Sequence, residues 1–327
     1  MEFIFLGTSS GAPTKTRNIS GLAIKKASEK TWHLVDCGEG TQHQILHTSL
    51  SLNQLDTIFI THVHGDHCFG LPGLISSATM SGRTKPLTIV APNPVKEFVN
   101  VALSVSQTRL SYDINYIDVT AHLNMKNIEV SGFDIEIGEL SHRVPSFSYH
   151  FIENNIPAQL DTNKLNQENI EAGPIWGKIQ SEKEFTLPDG TIRQSSDYLL
   201  KPRKPRKVIV AGDNDTPSLL SEYAEQANVL IHEATFTADI SEKIGNRPQH
   251  STAEKVAQFA ENSRIPHLLL SHFSSRYQDS GNEKGSICEI ENEAKANYSG
   301  NLFLAKDFDR FHLDIKGNLN KSSVQAT

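Results

Sequence analysis

The chain has 327 residues and a formal net charge of −7, with 37 % hydrophobic and 21 % charged side chains, enough to bury a sizeable core in one large domain or two small ones. Its 20 Gly and 14 Pro exclude collagen-like and wholly disordered architectures, and its 3 Cys cannot make a disulfide framework. No segment approaches the roughly 18 apolar residues of a spanning helix, and an acidic balance does not suit nonspecific nucleic-acid binding.

In chain order, residues 2–6 form a predicted strand ended by a Gly- and Ser-rich turn, followed by strands at 21–25 and 31–35 and a helix at 41–48. A buried-type strand at 55–60 runs directly into Thr61-His62-Val63-His64-Gly65-Asp66-His67. Loop and helix follow from 68, then a strand at 87–91 and a helix at 94–104. The stretch from 113 to 153 is strand-rich, with strands expected at 114–119, 127–131, 133–140 and 146–153. This alternation indicates α/β layers rather than a helical bundle.

Composition changes near residue 155. Residues 154–200 read as an inserted excursion, polar and punctuated by Pro157, Gly173, Pro174, Gly177 and Gly190, with few core anchors. A basic run follows at Lys201, Arg203, Lys204, Arg206 and Lys207. Core-like sequence then resumes, with strands at 208–211, 229–232, 268–270 and 302–304 and helices at 218–226 and 252–262. The expected organisation is one domain from 1–153 and 201–316, the insertion at 154–200, and a frayed tail at 317–327.

Three His and one Asp within six residues, immediately after a buried strand, point to metal rather than to an incidental polar turn. His62 and His64 suit one ion, and Asp66 and His67 can turn toward a second. Four ligands do not complete two sites. His142, Asp213 and His272 each follow a predicted strand, as His62 does, and together they supply the missing ligands. Asp215 competes with Asp213 for the last position in that loop. Asp36-Cys37-Gly38-Glu39-Gly40 reads as a tight structural turn beside the site, and neither Cys37 nor Cys68 is needed as a ligand.

With these residues in place, the sequence resembles the metallo-β-lactamase superfamily and, within it, the short form of the ribonuclease Z family. The resemblance rests on THVHGDH, on FLGTSSGAPTKTRNISG at 5–21, GPIWGKIQ from Gly173, HEATF from His232, HSTAEKVAQFA from His250 and SHFSSRY at 271–277. It implies a four-layer αβ/βα sandwich with an inserted flexible arm. The activity implied is hydrolysis of precursor tRNA on the 3′ side of the discriminator nucleotide, leaving a 3′-hydroxyl. A broader phosphodiesterase or RNA 3′ exonuclease on the same site is the alternative.

The same resemblance implies that His62, His64 and His142 hold one divalent ion, that Asp66, His67 and His272 hold the other, and that Asp213 bridges. Zinc is expected, and manganese or cobalt also suits this ligand mixture. Asp66 is also expected to accept a proton from the attacking water or to orient it. His250 is assigned to the scissile phosphate as acid or charge stabiliser, with Glu233 orienting it; the competing reading of HST is a helix cap. His232 is left without a role. Ser274 and Arg276 either grip phosphate or pack their loop.

The insertion corresponds to the family's tRNA-clasping arm, which in a homodimer serves the partner's site. Gly173, Pro174 and Lys178 are its expected substrate contacts. The arm carries Lys164, Lys178, Lys183 and Arg193 against seven Asp and Glu, so the 201–207 run, with Lys15 and Arg17, is expected to supply the positive field. A cytoplasmic protein with no membrane partner is the expectation.

Overall fold

The computed structural model describes residues 1–27, 29–123, 128–245, 247–279 and 285–322. It divides into two compact units, Met1–Ile152 with Arg206–Thr327, and Glu153–Pro205.

The larger unit is built on two sheets. The first has eight strands, in the spatial order Leu319–Ser322, Arg310–Leu313, Glu2–Gly7, Gly21–Lys25, Trp32–Val35, Leu55–Phe59, Leu87–Ala91 and Ile114–Asp118. The second has seven: Asn301–Leu304, His267–Ser271, Val229–Glu233, Lys207–Ala211, Ser146–Glu153, Phe133–Leu140 and Ile128–Val130. Their facing sides share one apolar layer, with Phe3, Phe5, Ile24, Val35 and Phe59 from the first packed with Tyr149, Phe151, Val208, Val210 and Leu269 from the second. Strands apolar on both faces must be covered twice. On the outer face of the first sheet, Leu71, Leu74, Ile75, Val95 and Val99 of helices Leu71–Met80 and Asn93–Val105 pack over Leu34, Ile58 and Ile89. On the outer face of the second, helices Ala253–Asn262 and Cys288–Asn297 bring Val256, Ala260, Ile290 and Ala294 onto Ile209, Leu230 and Leu268. The result is the four-layer αβ/βα sandwich.

Three expectations need correction. The predicted helix at 218–226 is a 3₁₀ turn, Pro217–Leu220, continued by tight turns. Its apolar residues are satisfied by bonds three residues apart, from the amides of Tyr223 and Ala227 to the carbonyls of Leu220 and Ala224, so no α-helix is required. Helix Cys288–Asn297 was not anticipated, although Ile287, Ile290 and Ala294 carry its spacing. Of the tail expected to fray at 317–327, residues 323–327 lie outside the described residues, and the part that is described contributes an edge strand: Asp314 Oδ1 accepts from the Lys316 and Asn318 amides, Gly317 turns through φ +88°, and Leu319 is buried. Asn127, the first residue of one predicted strand, lies outside the described residues.

The smaller unit contains helices Thr162–Gln167 and Pro174–Ser181 and the hairpin Glu184–Thr186 with Ile192–Gln194. It has its own apolar centre, Leu165, Ile170, Ile179, Phe185 and Tyr198, where the sequence suggested few anchors. Among the described residues no helix is long and apolar enough to cross a membrane.

Candidate metal centre

The predicted ligands leave the ends of strands in both sheets and converge. His62, His64, Asp66 and His67 follow Leu55–Phe59, while His142, Asp213 and His272 follow Phe133–Leu140, Lys207–Ala211 and His267–Ser271. His62 Nε2 and His142 Nε2 lie 3.0 and 3.2 Å from His64 Nδ1, and 3.6 and 3.8 Å from Asp213 Oδ2. In the second group His67 Nε2 and His272 Nε2 are 3.2 Å apart, and lie 3.5 and 3.4 Å from Asp66 Oδ2. The other oxygen of Asp213, Oδ1, is 3.6 and 3.4 Å from those same two nitrogens. Ligands bonded at about 2.0–2.1 Å around a tetrahedral ion stand about 3.3–3.4 Å apart. The two groups have that spacing, and one carboxylate offers an oxygen to each. Together they can hold two divalent ions.

The atoms behind the ligands fix which ring nitrogens face inward. His142 Nδ1 donates to the Gln249 carbonyl at 2.8 Å, an acceptor only, so Nε2 presents its lone pair to the centre. His62 Nδ1 lies 3.0 Å from Thr61 Oγ1 and His272 Nδ1 lies 3.1 Å from Thr235 Oγ1. His67 Nδ1 is 2.7 Å from Asp36 Oδ2. Burial, reinforced by neighbouring imidazoles, pushes His62, His64 and His142 below the ordinary imidazole value, which keeps them neutral as ligands must be. At His67 burial also opposes protonation, but the carboxylates of Asp36, Asp213 and Asp66 outweigh it and hold the imidazole above its ordinary value.

Asp36 is a functional residue that the sequence reading missed, having assigned its segment to a structural turn. It is left-handed at φ 59°, and its Oδ1 accepts the Thr61 amide at 2.8 Å while Oδ2 holds His67. Gly38 completes the turn, since a Cβ there would meet the Asp66 carbonyl oxygen at 2.5 Å. The missed signal was an Asp at the end of a strand paired in parallel with the strand that carries the histidines. Cys68 stays outside both groups with its thiol pushed up to about 12 by burial, and Asp215 is occupied by Thr216 rather than by the ligands.

At the rim, His250 Nδ1 lies 3.0 Å from Glu233 Oε2 and 3.6 Å from Asp213 Oδ2. Burial opposes charge on both partners, yet the pair holds Glu233 below the usual carboxylate range and His250 above the usual imidazole range. Glu233 is fully committed, accepting also from the Asn214 amide at 2.8 Å and the Thr235 hydroxyl. The helix-cap reading of HST also holds, through Thr252 Oγ1, which accepts the Lys255 amide. The cap therefore does not engage the His250 ring, whose Nδ1 is held by Glu233. Phe236 stands edge-on to His250 at 6.0 Å, and the Arg276 guanidinium lies 5.5 Å above the Phe236 ring, with Arg276 Nε donating to Ser274 Oγ at 3.3 Å.

Relatives in sequence match this chain over nearly its whole length. Ribonuclease Z of Marinobacter nauticus is 47 % identical over 329 residues, covering 98 % of this chain and 99 % of its own length. The Pseudomonas putida ribonuclease Z is 46 % identical over 323 residues, covering 99 % and 100 %. The chain belongs to the ribonuclease Z family. Residues 1–173 also match the family model described as Anti-Pycsar protein Apyc1, so this half falls within that family as well; the match takes in His62 to His142 and stops short of Asp213, His250 and His272. Human tRNase Z, short form, superposes with a TM-score of 0.67 at 25 % identity, over 96 % of this chain and 100 % of its own. A metallo-β-lactamase fold protein from Bacillus subtilis, 17 % identical with a TM-score of 0.64 over 94 % and 98 %, shares the fold.

In this ribonuclease Z-family chain the basic residues are disposed differently from the expectation. Arg203 is held by Glu153 at 2.7 Å, Arg206 is buried and donates to the Leu313 carbonyl at 2.6 Å, and Lys207 pairs with Glu136 at 2.9 Å. Of the five cations in the run, Lys201 and Lys204 are exposed, while Arg203, Arg206 and Lys207 are engaged within the fold. Arg17 is likewise buried, with its guanidinium on Asp279 at 2.6 Å and Thr8 at 2.7 Å. In the smaller unit, Gly173, Pro174 and Lys178 lie on an exposed edge, and a Cβ at Gly173 or Gly177 would meet nothing within 4 Å.

Proposed function

We propose that this chain is a metal-dependent endoribonuclease that hydrolyses precursor tRNA on the 3′ side of the discriminator nucleotide, releasing the 3′ trailer. The observation that carries the reading is Asp213, whose two oxygens each face one of two complete nitrogen-rich groups, with the His250–Glu233 pair beside them. His62, His64 and His142 would hold one ion, Asp66, His67 and His272 the other, and Asp213 both; zinc suits the donors best. When bound, two such ions activate water and take up charge on the phosphodiester.

The chain's own groups supply the remainder. Asp66, steadied by the Gly11 amide at 2.8 Å, orients the attacking water or accepts its proton. As the bond from phosphorus to O3′ breaks, protonated His250 gives its proton to O3′, leaving a 3′-hydroxyl on the tRNA and the phosphate on the trailer. Glu233 keeps His250 charged and aimed. Ser274 and Arg276 are placed to contact a phosphate at the same rim. Gly173, Pro174 and Lys178 of the arm, with Lys201 and Lys204, bind the tRNA body, and in a cytoplasmic homodimer the arm serves the partner's site. The ligand set by itself recognises a phosphodiester and not a tRNA, which supports a second reading as a broader phosphodiesterase or 3′ exonuclease.

The test is cleavage of an end-labelled precursor tRNA with a 3′ trailer, mapped to the nucleotide with metal-replete protein. A single cut beside the discriminator, abolished by chelation and by Asp66→Ala, is expected. A ladder, or hydrolysis of bis(p-nitrophenyl) phosphate alone, would transfer the function to the second reading.

A further inference from the structure

Asn214 follows the shared carboxylate Asp213 and is fully buried. It makes five hydrogen bonds to the loops that carry the chemistry. Its amide oxygen accepts from the backbone N–H of Ser141, next to His142, at 3.3 Å and from that of Thr216 at 3.1 Å. Its Nδ2 lies 3.2 Å from His232 Nε2. Its backbone N–H donates to Glu233 Oε1 at 2.8 Å, and its carbonyl accepts from Ser251 Oγ, next to His250, at 2.5 Å.

The proton inventory allows one arrangement. His232 Nδ1 lies 2.8 Å from the Glu233 carbonyl, which can only accept, so Nδ1 carries the proton and Nε2 is a lone pair that needs a donor. The amide nitrogen of Asn214 meets that need. On its other side two backbone N–H groups require an acceptor, and the amide oxygen meets both. Asp has the same shape but no donor, and Ala has neither group.

We propose that Asn214, through its bond to His232, is a positioning residue that holds Asp213 between the two ligand groups and keeps Glu233 in register with His250. This gives His232, which among the described residues makes no hydrogen bond to a ligand side chain, a role in buttressing the centre. The inference rests on the reading of the site given above.

The experiment compares Asn214→Ala and Asn214→Asp with the unaltered full-length chain. Zinc affinity is measured by titration against a chromophoric chelator, kcat and KM on precursor tRNA, and the thermal midpoint of the metal-free protein. Removal of a supporting partner at a metal site weakens affinity about ten- to a hundredfold. That loss is expected in both variants, with kcat reduced and KM close to that of the parent; the metal-free midpoint falls more in Asn214→Ala, which leaves the Ser141 and Thr216 amides without their acceptor, than in Asn214→Asp, which keeps it. Unaltered zinc affinity in both would overturn the proposal. So would a zinc loss matched by an equal drop in metal-free stability, which marks a packing role. If Asn214→Ala does not fold, Asn214→Asp decides: it keeps the volume and replaces the donor by a charged oxygen, which by charge alone would favour a cation, so a loss of zinc affinity there still reports the missing donor. The zinc measurement needs no RNA, so it tests Asn214 even if the unaltered chain fails to cut precursor tRNA.

Discussion

Replacing Asp36 by Asn should weaken one ligand group and spare the other. The substitution is sterically neutral, and Asn tolerates the left-handed backbone at φ 59° as Asp does. Its amide oxygen can take the place of Oδ1, which accepts the Thr61 amide at 2.8 Å and lies 3.1 Å from the Thr61 hydroxyl that supports His62. Its NH₂ then replaces Oδ2, 2.7 Å from His67 Nδ1. Two donors meet there, and the conflict is relieved only if His67 moves its proton to Nε2, the atom that faces His272 and Asp213. Loss of such a partner is worth about ten- to a hundredfold in metal affinity, or about 1.4–2.7 kcal/mol. That loss should fall on the ion held by Asp66, His67 and His272. Asp36→Ala removes both supports and adds the left-handed penalty of about 1–2 kcal/mol, so both affinities should fall. Stepwise zinc titration against a competing chelator resolves the two. Equal weakening of both ions by Asn, or no weakening, would refute the reasoning.

Other outcomes are equally specific. His250→Ala should lower kcat about a hundred- to ten-thousandfold with metal content unchanged, measured by single-turnover cleavage and elemental analysis. Lys204→Ala should reduce the slope of log affinity against log salt by about one, whereas Lys207→Ala, whose amine is committed to Glu136, should leave the slope unchanged in filter-binding titrations. Burial pushes Asp307 up to about 6 from 3.8, against the pull of the Asn18 amide, the Thr8 hydroxyl and Arg17. A raised acid stabilises the fold below its unfolded value and loses that contribution as pH rises through the folded one. Asp307→Asn should therefore gain on the parent between pH 3.8 and about 6 in thermal melts, with a constant difference above.

Most of the ligand set was legible because chemistry and periodicity agreed: His62, His142, Asp213 and His272 each follow an apolar strand, and a strand end is where a rigid sheet can present a side chain. The strands themselves were clear where β-branched and aromatic residues run together, as in 133–140 and 146–153. What escaped was whatever depends on a partner far along the chain. Asp36 looks like a turn residue until His67 is beside it. The positive run looked like a binding patch because Glu136 and Glu153, which hold Lys207 and Arg203, are distant in sequence. Residues 218–226 misled for a local reason, since apolar spacings of three and four are compatible with successive turns as well as with a helix.

The convergence of strand ends from both sheets also sets an order of assembly. His67 and His272, whose ring nitrogens stand 3.2 Å apart, are separated by 205 positions. At a synthesis rate of about 5–20 residues per second, their emergence from the ribosome is separated by roughly 10–40 s. For the first part of that interval, until residue 213 emerges, the nascent chain displays His62, His64, Asp66 and His67 with neither Asp213 nor His272 to close the cage. A cation captured before Asp213 emerges would meet an open, exchangeable set of donors, and a chain carrying both residues 213 and 272 would be needed to retain a pair. Slow metal release is thus a signature of completed translation and folding, readable on chains stalled before and after residue 272.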